Sequence, residues 1–552
     1  LSIFSFFSKL TLIDWSEEEL VWFQGRYMVQ KIHPPERIKT EQVKVAAVHR
    51  YEVVRGGADR SLAGKRFHFI GAGGIGMSGL AKVLLANGAI VSGSDQMGSE
   101  VVNKLCGLGA NIKVGHGPDN IGEDLDAVVI SAAVREDNPE LQRARTAGLK
   151  VYKYAEMLGQ LMDRFDGIAV AGTHGKSTTS GWLAFVLSRA GMAPNFIVGA
   201  DVTQLGSNSG TGDGTIFVAE ACEYDRSFLN LRPKFAAILN IEQDHLDYYR
   251  DTSDIIDAFA DFARGVRRAG MVLVNGQDAN IREMLSRLGD GLAYQTFGVD
   301  GDSAFAGETA TADKFDFCGK NLAIKDGCYS FDVFQRGYPV GRAKLSLPGL
   351  HNVFNALAVI GLGSRAGLNA RQVLDLLPEF TGVDRRLMFK AKVGGITVLD
   401  DYAHHPTEIR ASLAAIRQRY NPKRLWCVFQ PHQYSRTRFL LDDFAESFSL
   451  ADITIVPEIY FVRDSELSKE LVNAQKLVER ICASGSEARF IDGFGAICEH
   501  LKQNVRKGEL VVTMGAGDIW KVADEYIQRL RADSKRKVPT GKKHVVRARR
   551  TG

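Results

Sequence analysis

The chain predicts an α/β fold in three domains, and three stretches of sequence carry that prediction. In the first, the apolar run Arg66–Ile70 meets a glycine-rich turn (Gly71, Gly73, Gly74, Gly76) and then a helical stretch from Met77 to Ala86. In the second, Ile168–Ala171 passes through Gly172-Thr173-His174-Gly175 into Lys176-Ser177-Thr178, which opens an amphipathic stretch with Trp182, Leu183, Phe185, Val186 and Leu187. In the third, the apolar runs Ile396–Leu399, Leu425–Phe429, Ile453–Val456 and Leu510–Met514 alternate with helical patterns. Strand–helix alternation of this kind builds mostly parallel sheets, with ligand sites beyond the carboxyl ends of the strands. The expected architecture is a Rossmann-like N-terminal domain, a central P-loop-type domain and a C-terminal Rossmann-like α/β domain.

Length supports the division. A chain of 552 residues exceeds what one core fills, and about three domains is the expectation. With 45% hydrophobic and 24% charged residues, the composition is that of an ordinary globular protein. The net charge of +4 is concentrated in the tail 534–552, where eight lysines and arginines run from Lys535 to Arg550. Without interleaved aromatics this tail is expected to be a solvated, disordered end and not a nucleic-acid site. Seven scattered cysteines with no C-x-x-C pair argue for a reducing compartment and against a structural metal. Residues 1–63, which begin with Leu1, are expected to be an extension of unknown role. Its apolar beginning is short of the about 20 residues that span a bilayer and has no A-x-A-like cleavage site. No membrane insertion is expected anywhere in the chain.

The first domain is expected over 64–163. Its glycines fit G-x-G-x-x-G between a strand and a helix, and Asp95 follows the second strand where a carboxylate accepts from a ribose hydroxyl. Ala127–Ile130 and Pro139–Ala147 continue the alternation. The motif makes NAD the default ligand, but such a turn binds pyrophosphate and does not see nicotinamide, so a diphosphate of another kind, such as a UDP-sugar, satisfies the same physics.

The second domain is expected over 164–380. The usual phosphate loop is G-x-x-x-x-G-K-[ST]; here Val170 stands at the first glycine position, so the match is partial. Lys176 supplies a point charge for β- and γ-phosphates, and the Ser177 hydroxyl is placed to ligate Mg²⁺. The strands Thr215–Ala219 and Phe235–Asn240 end at Glu220 and at Asp244-His245-Leu246-Asp247. Glu220, Asp244, His245 and Asp247 are therefore expected to converge on the bound phosphates. Residues 300–345 predict a small antiparallel addition, and Asn352 and Asn355 share a helix face that suits an adenine edge. The third domain, over 381–533, ends three of its strands in polar clusters, Asp400–Pro406, Gln430–Arg436 and Gly515–Asp518, which predict a site wall.

Four stretches carry a family resemblance: GAGGIGMSGLA (71–81), AGTHGKSTT (171–179), DDYAHHPTEI (400–409) and FQPHQYSRTR (429–438). In this order they resemble the Mur ligases, over about residues 65–530. The resemblance implies a cytoplasmic enzyme of cell-wall synthesis that uses ATP and Mg²⁺ to join L-alanine to the lactyl carboxylate of UDP-N-acetylmuramate. It implies that Gly71, Gly73, Gly74, Gly76, Asp95 and His116 hold the UDP moiety, displacing the NAD reading. It assigns Gly172, Thr173, His174, Gly175, Lys176, Ser177 and Thr178, with Asn352 and Asn355, to ATP. Ser177 and Glu220 correspond to ligands of one Mg²⁺ and His245 to a ligand of a second. Arg386 and Asp401 correspond to catalytic residues at the domain junction; Tyr402, His432 and Arg436 correspond to the amino-acid region. Gln433 departs from the family, many of whose alanine-adding members carry arginine there. The rival readings are a ligase joining a preformed peptide and, from another class, an NAD-dependent oxidoreductase.

Overall fold

Short apolar runs bounded by glycine and polar residues become parallel strands, and these assemble into three sheets. The computed structural model describes residues 62–289, 291–300, 314–462, 464 and 466–536. The expected extension before Leu62, the tail beyond Arg536 and the segment 301–313 of the antiparallel addition lie outside the described residues.

The first sheet comprises β1 (Arg66–Ile70), β2 (Ile90–Asp95), β3 (Asn111–Val114), β4 (Ala127–Ile130) and β5 (Val151–Lys153), in the order β3-β2-β1-β4-β5. All its pairings are parallel. The order reverses between β1 and β4, which opens a crevice at the turn after Ile70. Gly71 takes φ +80° there, a conformation that favours glycine. A Cβ on Gly73 would sit 2.9 Å from Asp95 Oδ2, and one on Gly76 would sit 2.9 Å from the Tyr154 ring. Helix α1 (Ile75–Ala86) follows. It packs on the middle sheet, where Asn208 donates to Ile75 O at 2.9 Å.

The middle sheet has ten strands: β6 (Asp166–Ala171), β7 (Asn195–Val202), β8 (Ser207–Gly210), β9 (Ile216–Glu220), β10 (Phe235–Ile238), β11 (Met271–Asn275), β12 (Tyr294–Val299), β13 (Phe317–Lys325), β14 (Cys328–Gln335) and β15 (Tyr338–Lys344). Their order is β15-β14-β13-β12-β11-β10-β6-β9-β7-β8. The predicted antiparallel addition is β13 to β15, and it extends the main sheet through a parallel pairing of β12 with β13. Helix α2 (Lys176–Arg189) follows β6. Its sequence suggests amphipathicity, yet every residue from Ser177 to Leu187 is buried. The helix is covered by the sheet on one side and by α3 (His351–Arg365) on another, while Trp182 stacks on Phe380 at 5.1 Å.

The third sheet, β16 (Met388–Val393), β17 (Ile396–Asp401), β18 (Leu425–Phe429), β19 (Ile453–Val456), β20 (Ala488–Phe490) and β21 (Leu510–Met514), runs β16-β17-β21-β18-β19-β20. Only β16 is antiparallel. The seven cysteines are all free. Among the described residues no helix is long and apolar enough to cross a membrane.

One buried carboxylate ties the first domain together. Glu140 is fully buried and accepts hydrogen bonds from the Ser94 hydroxyl (2.6 Å), the Gly117 N–H (3.1 Å) and the Asn120 side chain (2.5 Å), while His68 Nε2 lies 3.1 Å away. Burial alone would raise its pKa, but His68 and these donors outweigh it and hold the group at about 2. A carboxyl group depressed in the fold adds stability above its unfolded pKa, and that stability disappears as pH falls toward the folded value. Glu140→Gln is therefore expected to cost about 2–3 kcal/mol at pH 7. Thermal melting at a series of pH values should show the variant losing less stability than the parent between pH 4.5 and about 2.

Candidate active site

Strand β6 lies between β10 and β9, in register Ala171↔Ile238 and Val170↔Glu220. Three strand ends thus deliver the loop after Ala171, Glu220 and the segment from Leu239 to one place. Gly172 (φ +138°) and Gly175 (φ +83°) adopt backbone conformations that side chains disfavour. A Cβ on Gly175 would meet Asn355 Oδ1 at 2.7 Å. Asn240 clamps the loop from β10's side, accepting from the His174 N–H at 2.7 Å and donating to His174 O at 3.1 Å.

Within the loop Lys176 Nζ donates to Gly172 O (2.6 Å) and Thr173 O (3.0 Å) and meets the Glu223 carboxylate at 2.9 Å. Burial alone would lower the lysine pKa; Glu223 outweighs it, so the ammonium is held charged. Glu223 was not foreseen in the sequence, where it is one acid among several after β9. Its other neighbour is His245, whose Nε2 lies 3.5 Å from Glu223 Oε1 and whose φ is +56°. The Ser177 hydroxyl donates to Glu220 Oε2 at 2.8 Å, and Gly199 N–H donates to the same oxygen at 2.9 Å. A hydroxyl and a carboxylate side by side are hard oxygen donors of the kind Mg²⁺ takes.

The third sheet closes over this loop. Helix α4 (Pro406–Tyr420) points its first turn at the seam. There Thr407 donates to Glu242 Oε2 (2.6 Å), and His405 Nε2 lies 3.1 Å from Gln243 O. His174 sits between Glu242 and Glu408, 3.4 Å from each. Burial would lower its pKa, but the two carboxylates outweigh that and raise it to about 9. Glu408 also pairs with Arg386 at 3.0 Å and is held well below the usual carboxylate range, Arg386 outweighing its burial. Arg436, on α5 (Tyr434–Phe439), donates from Nε and Nη2 to Asp244 Oδ1 at 3.1 and 2.9 Å. The Arg436 and Asp244 side chains are each 7% exposed.

Several expected residues sit elsewhere than the sequence suggests. Asp244 turns to Arg436, and Asp247 is exposed, so of the four expected residues only Glu220 and His245 join the phosphate loop, through Ser177 and Glu223. Asp401 accepts from Leu387 N–H, Ala403 N–H and the Ser412 hydroxyl. Burial pushes it up to about 6, and its contacts are those of a turn support. Asn352 accepts from Asn355 at 3.1 Å and donates to Pro348 O at 2.7 Å. Tyr402 carries Arg385 and Arg386 over its ring, at 5.0 and 5.3 Å. His432 stacks on Tyr460, with Nδ1 3.3 Å from Arg436 Nη1. Gln433 is buried at φ +73°, its N–H donating to Tyr460 O. In the first domain Asp95 accepts from Gly73 N–H at 2.8 Å, and His116 Nδ1 lies 2.9 Å from Ser94 Oγ.

The chain matches the Mur ligase family's catalytic domain over residues 66–166, its middle domain over 170–363 and its glutamate ligase domain over 385–517. It belongs to the Mur ligase family. It is similar to the UDP-N-acetylmuramate–L-alanine ligase of Agathobacter rectalis, 40% identical over 464 residues, which cover 84% of this chain and 97% of the relative. It is also similar to the crystal structure of the UDP-N-acetylmuramate–alanine ligase of Thermotoga maritima, with TM-score 0.69, 30% identity, and 85% and 99% of the two chains covered. A murein peptide ligase from Psychrobacter arcticus shares the fold, with TM-score 0.62 and 24% identity, over 85% of this chain and 99% of that one. In this Mur ligase the glycine turn at 71–76 lies inside the first matched domain, and the oxidoreductase reading is set aside.

The Arg436–Asp244 pair predicts a double-mutant result. Removing one partner of a buried pair leaves an uncompensated charge, worth roughly 3–5 kcal/mol. Asp244→Ala and Arg436→Met should each lower the melting temperature of this Mur ligase, and the double variant should be more stable than the sum of the single losses implies. Strict additivity in a thermal-denaturation cycle would show that the pair does not couple the two sheets.

Proposed function

We propose that this Mur ligase joins L-alanine to the lactyl carboxylate of UDP-N-acetylmuramate with ATP, giving ADP and phosphate, in cytoplasmic synthesis of peptidoglycan precursors. The observation that carries the reading is the near full-length likeness to the Agathobacter rectalis alanine ligase. The crevice at Gly71, Gly73, Gly74 and Gly76, with Asp95 and His116 beside it, takes the UDP moiety. Gly172–Thr178 take the triphosphate, supported from behind by Asn352 and Asn355.

A carboxylate is a poor electrophile, so the γ-phosphoryl group of ATP first passes to a lactyl oxygen, leaving ADP and an acyl phosphate. The alanine nitrogen then bonds to the acyl carbon, the bond to phosphate breaks, and the amine loses a proton. Lys176 exchanges the Gly172 and Thr173 carbonyls for phosphate oxygens, holding charge where it develops. Ser177 and Glu220 fit one Mg²⁺ and His245 a second, and bound Mg²⁺ supplies neutralisation of the triphosphate. Arg386, paired with Glu408, and Asp401, which holds the turns at Leu387 and Ala403, stand at the junction of the second and third domains. Asp244 occupies one edge of Arg436, which leaves Nη1, beside His432, to meet the alanine carboxylate.

Phosphate release with ATP, Mg²⁺, UDP-N-acetylmuramate and single amino acids in turn tests the reading, and L-alanine should be the productive partner. Release with an alanine-headed peptide and not with alanine would make the enzyme a peptide ligase instead. Lys176→Ala should lower turnover by about 10²–10³ while calorimetric binding of UDP-N-acetylmuramate persists. Near-normal ligation by that variant would remove Lys176 from the phosphate site.

A further inference from the structure

Two imidazoles and a carboxylate meet across the seam, apart from the Ser177–Glu220–His245 cluster. His174 and Glu242 come from the middle sheet's loops and His405 from the third domain. His174 Nε2 lies 3.4 Å from Glu242 Oε2, and His405 Nδ1 lies 4.0 Å from the same oxygen. The three ligand atoms are all within 4.8 Å of one another. Ligands at about 2.0–2.1 Å from a tetrahedral zinc ion stand roughly 3.3 Å apart, so small side-chain movements would close the set.

His174 holds a proton between its two carboxylates, and the ion would take the place of the proton on Nε2. A metal-bound histidine usually donates its other N–H to a carboxylate or a carbonyl, which directs the free lone pair at the ion. His174 Nδ1 faces Glu408 Oε1 at 3.4 Å, and its buried Nε2 meets only Glu242 Oε2, in an ion pair at 3.4 Å. His405 Nε2 faces Gln243 O at 3.1 Å, which leaves Nδ1 to accept only the long 3.3 Å bond from Thr407 N–H. Glu242 Oε2, which already accepts from the Thr407 hydroxyl, completes the set.

We propose that His174, Glu242 and His405 bind a transition-metal dication of the zinc class across the seam. Imidazole donors favour Zn²⁺, Co²⁺ and Ni²⁺, whereas Mg²⁺ takes oxygen ligands and keeps its waters. The ion ties the third domain to the phosphate loop two residues before Lys176. Micromolar Zn²⁺ therefore inhibits turnover at saturating Mg²⁺.

The test is a Co²⁺ titration of the full, tag-free chain with millimolar Mg²⁺ and ADP present. The expected result is a visible d–d absorption band that saturates at one ion per chain and is displaced by Zn²⁺. His405→Asn should weaken that binding at least about tenfold, while His245→Asn should leave it within about twofold. Because His405 also caps a helix, Glu242→Gln provides the same reading if His405→Asn does not fold. Absence of the band would overturn the site. So would a band that survives both seam variants, or one lost only with His245→Asn.

Discussion

Buried charge has to be balanced, and that requirement organises the centre of this molecule. Lys176 lies among loop carbonyls with Glu223 as its counter-ion, and His174 stands between Glu242 and Glu408. Arg386 answers Glu408, and Arg436 answers Asp244. An unpaired charge in such surroundings costs several kcal/mol. The loop, two strand ends and the first turn of α4 are therefore held in one mutual arrangement. In the proposed function, a triphosphate at Lys176 replaces the negative charge that Glu223 now supplies, so binding is an exchange of partners.

Topology explains why the network forms here. β6 is an interior strand with parallel neighbours on both sides, and all three strands release their chains on the same edge. Carboxyl ends of parallel strands direct backbone N–H groups and the positive end of a following helix toward that edge. The third sheet completes the site from outside: Glu408 and His405 stand on the first turn of α4, and Arg436 stands on a short helix after β18. The metal site proposed at the seam uses the same convergence, with one ligand donated by the closing domain.

Strand and turn positions were legible because they depend on local pattern. β4, β18, β19 and β21 occupy the residues their apolar runs predict. The edge strands β3, β5, β16 and β20 were not foreseen, since short half-exposed runs such as Asn111–Val114 carry little periodic signal. The glycine turn and the phosphate loop were legible for a different reason. Gly71, Gly172 and Gly175 occupy positive φ, and a run of glycines between a strand and a helix announces that need.

By itself the sequence determined the strand–helix alternation of three α/β domains, the two phosphate-type turns and the chemical identity of the groups at the strand ends. Tertiary structure alone decided which of those groups meet. Asp244 and Asp247 are three residues apart, yet one is buried on Arg436 and the other is exposed. Glu140 and Glu223 look like surface acids in the sequence and lie fully or nearly buried. α2 carries a pattern that suits a half-exposed helix and is covered on all sides. The physical reason is common to these cases. Periodicity records the burial that an element's own strand or helix geometry imposes, whereas the pairing of a charge depends on segments brought together from 47 residues away for Glu223 and Lys176 and from 192 for Asp244 and Arg436.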